Sequence, residues 1–171
     1  MQVEIRKTSR WHEIAVQRAD GVALALRSPD RKFSPPHDLV HLVVERALGL
    51  DGGFWGCVAK GAKFPGIEVT AGRQRPQAEA RSQTLIKENQ ARLNETEVFV
   101  GVFQEALLED DGEATPRRYE RLRRALAARG RKLTTEAVAT IWDDLIEMRR
   151  RWEALDEGES LRVDWPEKRR R

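Results

Sequence analysis

The stretch His37-Asp38-Leu39-Val40-His41-Leu42-Val43-Val44-Glu45 constrains this chain more than any other. Placed on a helix with His37 at zero, His41 falls at about 40°, Glu45 at about 80° and Asp38 at about 100°. Leu39, Val40, Leu42, Val43, Val44 and Ala47 fill nearly all the remaining circumference, and Arg46 is the one other polar residue. A helix apolar almost all round is a buried helix. This one must therefore lie between layers while carrying a polar arc of two histidines and two carboxylates. An unpaired buried polar group costs on the order of 1–3 kcal/mol, so something has to meet that arc.

The expected helix runs from Pro35 to Leu48, with Ser34 as N-cap, Pro35 in the first helical position and Gly49 as the stop. Upstream, residues 1 to 27 carry strand signals. Val3 and Ile5 alternate with polar neighbours, as do Ile14 and Val16, and Val22 to Leu26 follow an Asp20-Gly21 turn. Three short antiparallel strands cannot stand alone and must pack on helices. The ending Leu161-Arg162-Val163-Asp164-Trp165-Pro166 alternates too and is expected to join that sheet.

Between Gly49 and Gly72 the chain is glycine-rich, with Phe54 to Ala59 expected as a short helix and Ile67-Glu68-Val69 as a strand. Asp51-Gly52-Gly53 follows a helix and lacks the spacing and lysine of a phosphate-binding loop, so it reads as a plain turn. Gln77 to Glu109 repeats apolar or small residues three and four apart and predicts one long amphipathic helix, broken in pattern only by Asn89 on its inner face. Helices at Pro116–Ala128 and from Thr134 to Leu155 follow. The whole is an α+β fold: a small antiparallel N-terminal sheet on a mostly helical body, one domain over 1–166, with a basic tail at 167–171.

Two histidines at i and i+4 project their rings to one point, the arrangement of His-Glu-x-x-His zinc peptidases. The expected metal residues are His37, His41 and Glu45, for a divalent ion with zinc first, and Asp38 stands where that motif carries its general base. Glu45 is a strained third ligand, because its Cα lies roughly 12 Å along the axis from that of His37. Glu88 and Glu97 are the alternatives, and Glu45 then orients His41 from behind. The plainer reading pairs the arc with itself, with Arg81 or Arg92, and with buried backbone.

Pro36-His37-Asp38-Leu39-Val40-His41-Leu42-Val43-Val44-Glu45, followed by Gly53-Phe54-Trp55-Gly56 and Ala59-Lys60-Gly61, resembles a family of uncharacterised bacterial proteins. That family carries Pro-His-Asp-Leu-x-His-x-x-Val-Glu before Gly-x-x-Gly, and the likeness spans about 25 residues of this chain. It implies that the motif is one structural unit and implies no particular chemistry. The His-Asp-x-x-His core is also similar to the zinc motif of the ubiquinone-biosynthesis organiser family. There a glutamate follows twelve positions after the second histidine, where this chain has Gly53.

Three functional readings follow. The first is a cytosolic metal-binding protein, in its fuller form a metal-dependent hydrolase acting on an unidentified small molecule or protein. The second is a non-enzymatic interaction protein whose polar arc is structural. The third is nucleic-acid binding through 117–132, which holds eight basic residues against Glu120 alone, although the chain as a whole has 31 Lys+Arg against 28 Asp+Glu. The following helix carries Asp143, Asp144 and Glu147 with its bases late, whereas a recognition helix needs its polar contacts at the N-terminal end. A single cysteine, Cys57, excludes paired-cysteine zinc sites and reads as a small buried hydrophobe before it reads as a nucleophile. No di-iron Glu-x-x-His pair occurs. The absence of a long apolar run and of a signal-like N-terminus predicts a cytoplasmic protein with no membrane association, and the apolar stripes serve the core before any homo-oligomer interface.

Overall fold

A computed structural model describes residues 1–28, 33–109 and 115–166. The basic tail at 167–171 lies outside them. The fold is α+β. Strands β1 (Gln2–Arg6), β2 (His12–Gln17) and β3 (Ala23–Ser28) form the expected meander, β4 (Glu68–Ala71) adds to β3, and β5 (Ser160–Asp164) adds to β1. The five-stranded sheet is antiparallel in the order β4-β3-β2-β1-β5.

Its register explains the alternation in the sequence. Val163, Val3, Val16, Leu24 and Val69 lie side by side across all five strands, and Leu161, Ile5, Ile14 and Leu26 make a second row. Both rows turn inward, whereas Gln2, Arg6, Glu13 and Arg162 face out. With a side-chain period of two, a slip of one residue would send every one of these apolar groups to solvent, so the pattern fixes the pairing.

Six helices make up the body: α1 (His37–Leu48), α2 (Phe54–Lys60), α3 (Ala78–Glu88), α4 (Gln90–Leu108), α5 (Pro116–Ala128) and α6 (Thr135–Glu153). α1 is the hub, in contact with α2, α4 and α6, and Leu39 to Glu45 are all buried. The all-round apolar character of this helix is thereby accounted for. Thr134 caps α6 and Thr115 caps α5 through their hydroxyls.

Two expectations are corrected. Ser34 and Pro35 do not open α1. The helix starts at His37, with Pro36 at the N-cap in an extended conformation (ψ 148°) and its carbonyl accepting from Leu39 and Val40. A residue that precedes a proline is disfavoured in helical geometry, which keeps Pro35 out of the helix ahead of Pro36. Ser34 instead donates its hydroxyl to Glu153 at the end of α6, 2.8 Å away. Nor is there one long helix over 77–109. Asn89 separates α3 from α4 at φ −102°, ψ 6°, and its amide donates to Leu85 O at 2.8 Å, which satisfies the polar group that interrupts the apolar stripe.

Candidate metal centre

The first turns of α1 carry His37 and His41, and α4, packed against α1, brings Glu97 to them. His37 Nε2 and His41 Nε2 are 3.2 Å apart, with the rings nearly perpendicular at 82°. Glu97 Oε2 lies 3.3 Å from His41 Nε2 and 3.6 Å from His37 Nε2. Among the described residues, these three form the one group of His, Cys, Asp and Glu donors whose ligand atoms lie within 4.8 Å of one another. The floor of the group is closed and its mouth is open: the His41 side chain is 6% exposed, while those of His37 and Glu97 are 38% and 60% exposed.

Each imidazole is held from its other nitrogen. His41 Nδ1 is 2.9 Å from Glu45 Oε1, and His37 Nδ1 is 3.4 Å from Gln104 Oε1, on α4 two turns beyond Glu97. Both partners offer an acceptor oxygen to Nδ1, which leaves each Nε2 facing Glu97, able to donate to its carboxylate when it carries a hydrogen or to offer a lone pair to an ion when it does not.

Glu45 is wholly buried yet well satisfied. Its Oε1 accepts from Phe54 N at 3.1 Å, and its Oε2 accepts from Trp55 N at 3.0 Å and Gly56 N at 3.4 Å. The chain can approach this closely because residue 53 has no side chain: a Cβ there would lie 2.4 Å from Glu45 Oε2. The glycine-rich segment after α1 is thus shaped around one carboxylate, and Trp55 closes the arrangement by donating its indole N–H to Asp38 O at 3.0 Å.

The electrostatics follow from this packing. Burial alone pushes His41 down, but the hydrogen bonds to Glu45 and Glu97 outweigh it and lift the imidazole to about 9. Hydrogen bonds from His37 and then His41 hold Glu97 far below the usual carboxylate range. Burial pushes Glu45 upward, against the pull of His41 and the α2 backbone. Glu45 and Glu97 together thus favour the protonated form of His41.

Of the residues expected at the site, His37 and His41 come together as ligand-spaced donors. Glu45 stands behind His41 on Nδ1, away from the point where the Nε2 atoms converge, and it is Glu97 that occupies the third position. Glu88, at the end of α3, is not in the group. Asp38 is half-buried in the first turn of α1, where an acid complements the helix dipole, and its carboxylate is also outside the group. Arg81 and Arg92 are not what meets Glu45; backbone N–H groups do that. Gln104 was not foreseen, although a polar residue beside Val100, Phe103 and Leu107 on the inner face of α4 is its signal. Cys57 is buried, donates to Gly52 O at 3.5 Å and has its thiol pushed up to about 11 by burial, an inert environment for a nucleophile.

The basic stretch 117–132 spends much of its charge within the protein. Glu120 is bonded by Arg123 and Arg124, Arg121 reaches Glu109, Arg131 donates to Leu48 O, and Arg118 lies over Trp142. No helix among the described residues is long and apolar enough to cross a membrane. Comparison of the chain with protein-family models, with curated proteins and with solved structures finds no match.

Proposed function

We propose that the protein binds a divalent transition-metal ion through His37 Nε2, His41 Nε2 and Glu97 Oε2, with zinc as the first choice of ion. The observation that carries this reading is the triangle of donors, 3.2, 3.3 and 3.6 Å on its sides, with both opposing Nδ1 atoms already anchored. Donor atoms this close together could share one ion at the usual zinc–nitrogen and zinc–oxygen distances of about 2.0–2.1 Å. Two imidazoles and one carboxylate leave at least one position free, on the side where His37 and Glu97 meet solvent. That is the donor set of a catalytic centre; structural zinc sites are closed by four protein ligands.

In its enzymatic form the reading is a metal-dependent hydrolase. An ion held there would supply an acidified water, and Asp38, one residue from His37, would be the candidate base. Its signature is an Asp38→Asn variant that keeps its metal and loses turnover.

The test of metal binding is elemental analysis of protein purified without an affinity tag, wild type beside His41→Ala and Glu97→Gln. Near-stoichiometric metal in the wild type that falls sharply in both variants supports the reading and names the ion. A wild type that carries no metal and takes up none on dialysis against micromolar zinc overturns it. The second reading then stands: a proton on His41, held at high pKa by Glu45 and Glu97, closes the cluster in place of an ion, and the arc is a structural network.

A further inference from the structure

A cavity of about 620 Å³ opens between helices α2 and α3 and the sheet, where it is lined from Val69 on β4 and the β2–β3 turn across to Met1 and Trp165. Its floor is apolar: Leu24 and Trp165 are almost fully buried, and Val69 and Leu85 complete it. Its rim is cationic, and most of that charge has a visible partner. Lys63 pairs with Glu79 at 3.1 Å, Lys60 donates to Asp51 O at 2.7 Å, and Arg18 grips both oxygens of Asp20.

Arg75 and Arg81 are left over. Neither has a carboxylate within ion-pair distance among the described residues, and both line the cavity. Arg75 is near enough to Asp20 for its charge to add to Arg18 in holding that acid below its ordinary value. One carboxylate therefore faces two guanidinium groups and can neutralise only one. The placement of Arg75 is built into the backbone. Gly72, at φ +88°, lies so close to the β2–β3 turn that a Cβ would fall 2.3 Å from Gly21 O, and this contact delivers the chain leaving β4 across the turn that holds Asp20. A volume of this size suits a small organic molecule, and an apolar floor under a few convergent charges is the usual character of such a site.

We propose that this cleft binds a small organic anion, its phosphate or carboxylate head met by Arg75 and Arg81 and its apolar body resting on Leu24, Val69 and Trp165. Guanidinium groups hold either head through paired N–H donors. The site does not depend on the metal cluster, since no cavity-lining group is a ligand there.

The test is calorimetric titration of the whole protein at fixed ionic strength with phenyl phosphate, benzoate and inorganic phosphate, wild type beside the double variant Arg75→Gln with Arg81→Gln. Both arginines are exposed, so the variant should keep its melting temperature. Saturable one-to-one binding of phenyl phosphate or benzoate that weakens about 10-fold or more in the variant supports the proposal, and whichever probe binds more tightly identifies the head group. No saturable binding of either aromatic anion overturns it, as does equal binding by the double variant. Inorganic phosphate binding as tightly as phenyl phosphate would remove the apolar floor from the site and overturn the organic ligand.

Discussion

Glu45 and Gly53 are locked against each other: a Cβ built on Gly53 falls 2.4 Å from Glu45 Oε2 and 2.6 Å from its Cδ. Glu45 cannot retreat, because it is fully buried and held by three backbone N–H groups and His41. Gly53→Ala should therefore expel or twist the carboxylate and cost roughly 3 kcal/mol, the order expected when a buried charge loses its partners. Denaturant melts check this. A loss under about 0.5 kcal/mol would show that the segment relaxes freely and that Glu45 is not wedged as described.

Gln104 separates a positioning role from a structural one. Its Oε1 faces His37 Nδ1, while its Nε2 is buried without a hydrogen-bond partner. Gln104→Met removes an unsatisfied donor and keeps the volume, so stability should hold or rise slightly. Zinc affinity, read by competition with a chelator, should fall about 10-fold, as happens when the group that orients a ligating histidine is lost. Unchanged affinity would remove Gln104 from the site.

The pH dependence should change sign with metal. His41 is raised from 6.5 to about 9 in the folded protein, so its contribution to stability is complete below pH 6.5 and is lost as pH rises through about 9. Metal-free protein should thus lose melting temperature steadily across that window, and His41→Gln should flatten the decline. Zinc binding needs the neutral imidazole, so zinc affinity should climb over the same window. Parallel trends with and without zinc would mean that the ion and the proton do not compete for His41.

Gly101 lies inside α4, one turn beyond Glu97, and a Cβ there would meet nothing within 4 Å. Glycine in a helix interior costs about 1 kcal/mol relative to alanine. Gly101→Ala should raise the melting temperature by about 2–4 °C and leave zinc content unaltered. A lowered melting temperature would show that the space beside the site is needed for packing.

The sheet was legible because one physical rule governs it: Val3, Ile5, Ile14, Val16, Leu161 and Val163 alternate, and alternation over a buried face dictates both strand and register. The burial of α1 was legible from its apolar circumference. The helix break was not: the three-and-four spacing runs on from Leu85 to Leu93, and Asn89 stood out only as a polar residue on an apolar stripe. The roles of the carboxylates were not. Glu97 and Glu88 are equally ordinary on a surface helix, and only the packing of α4 on α1 chooses between them. Glu45 is best satisfied by Phe54, Trp55 and Gly56 N–H groups, and backbone donors leave no mark in a sequence beyond the glycine that lets them approach. Pro36 hid the true start of α1, since a serine followed by proline is a cap signal that a second proline cancels.

The neighbour relation of β1 and β5 also sets an order of events during synthesis. The β1–β2–β3 meander is complete once Ser28 has left the ribosome, but Gln2 finds Asp164 only after the six helices have been made. Until then the outer edge of β1 exposes unpaired N–H and C=O groups, the kind of edge that recruits strands from other chains. Contacts this far apart in sequence are slow to form, so nascent or truncated chains lacking β5 are the species most exposed to aggregation. Helices α1 and α4, which carry His37, His41 and Glu97, are both made once Leu108 has been added, so their pairing can run ahead of closure of the sheet.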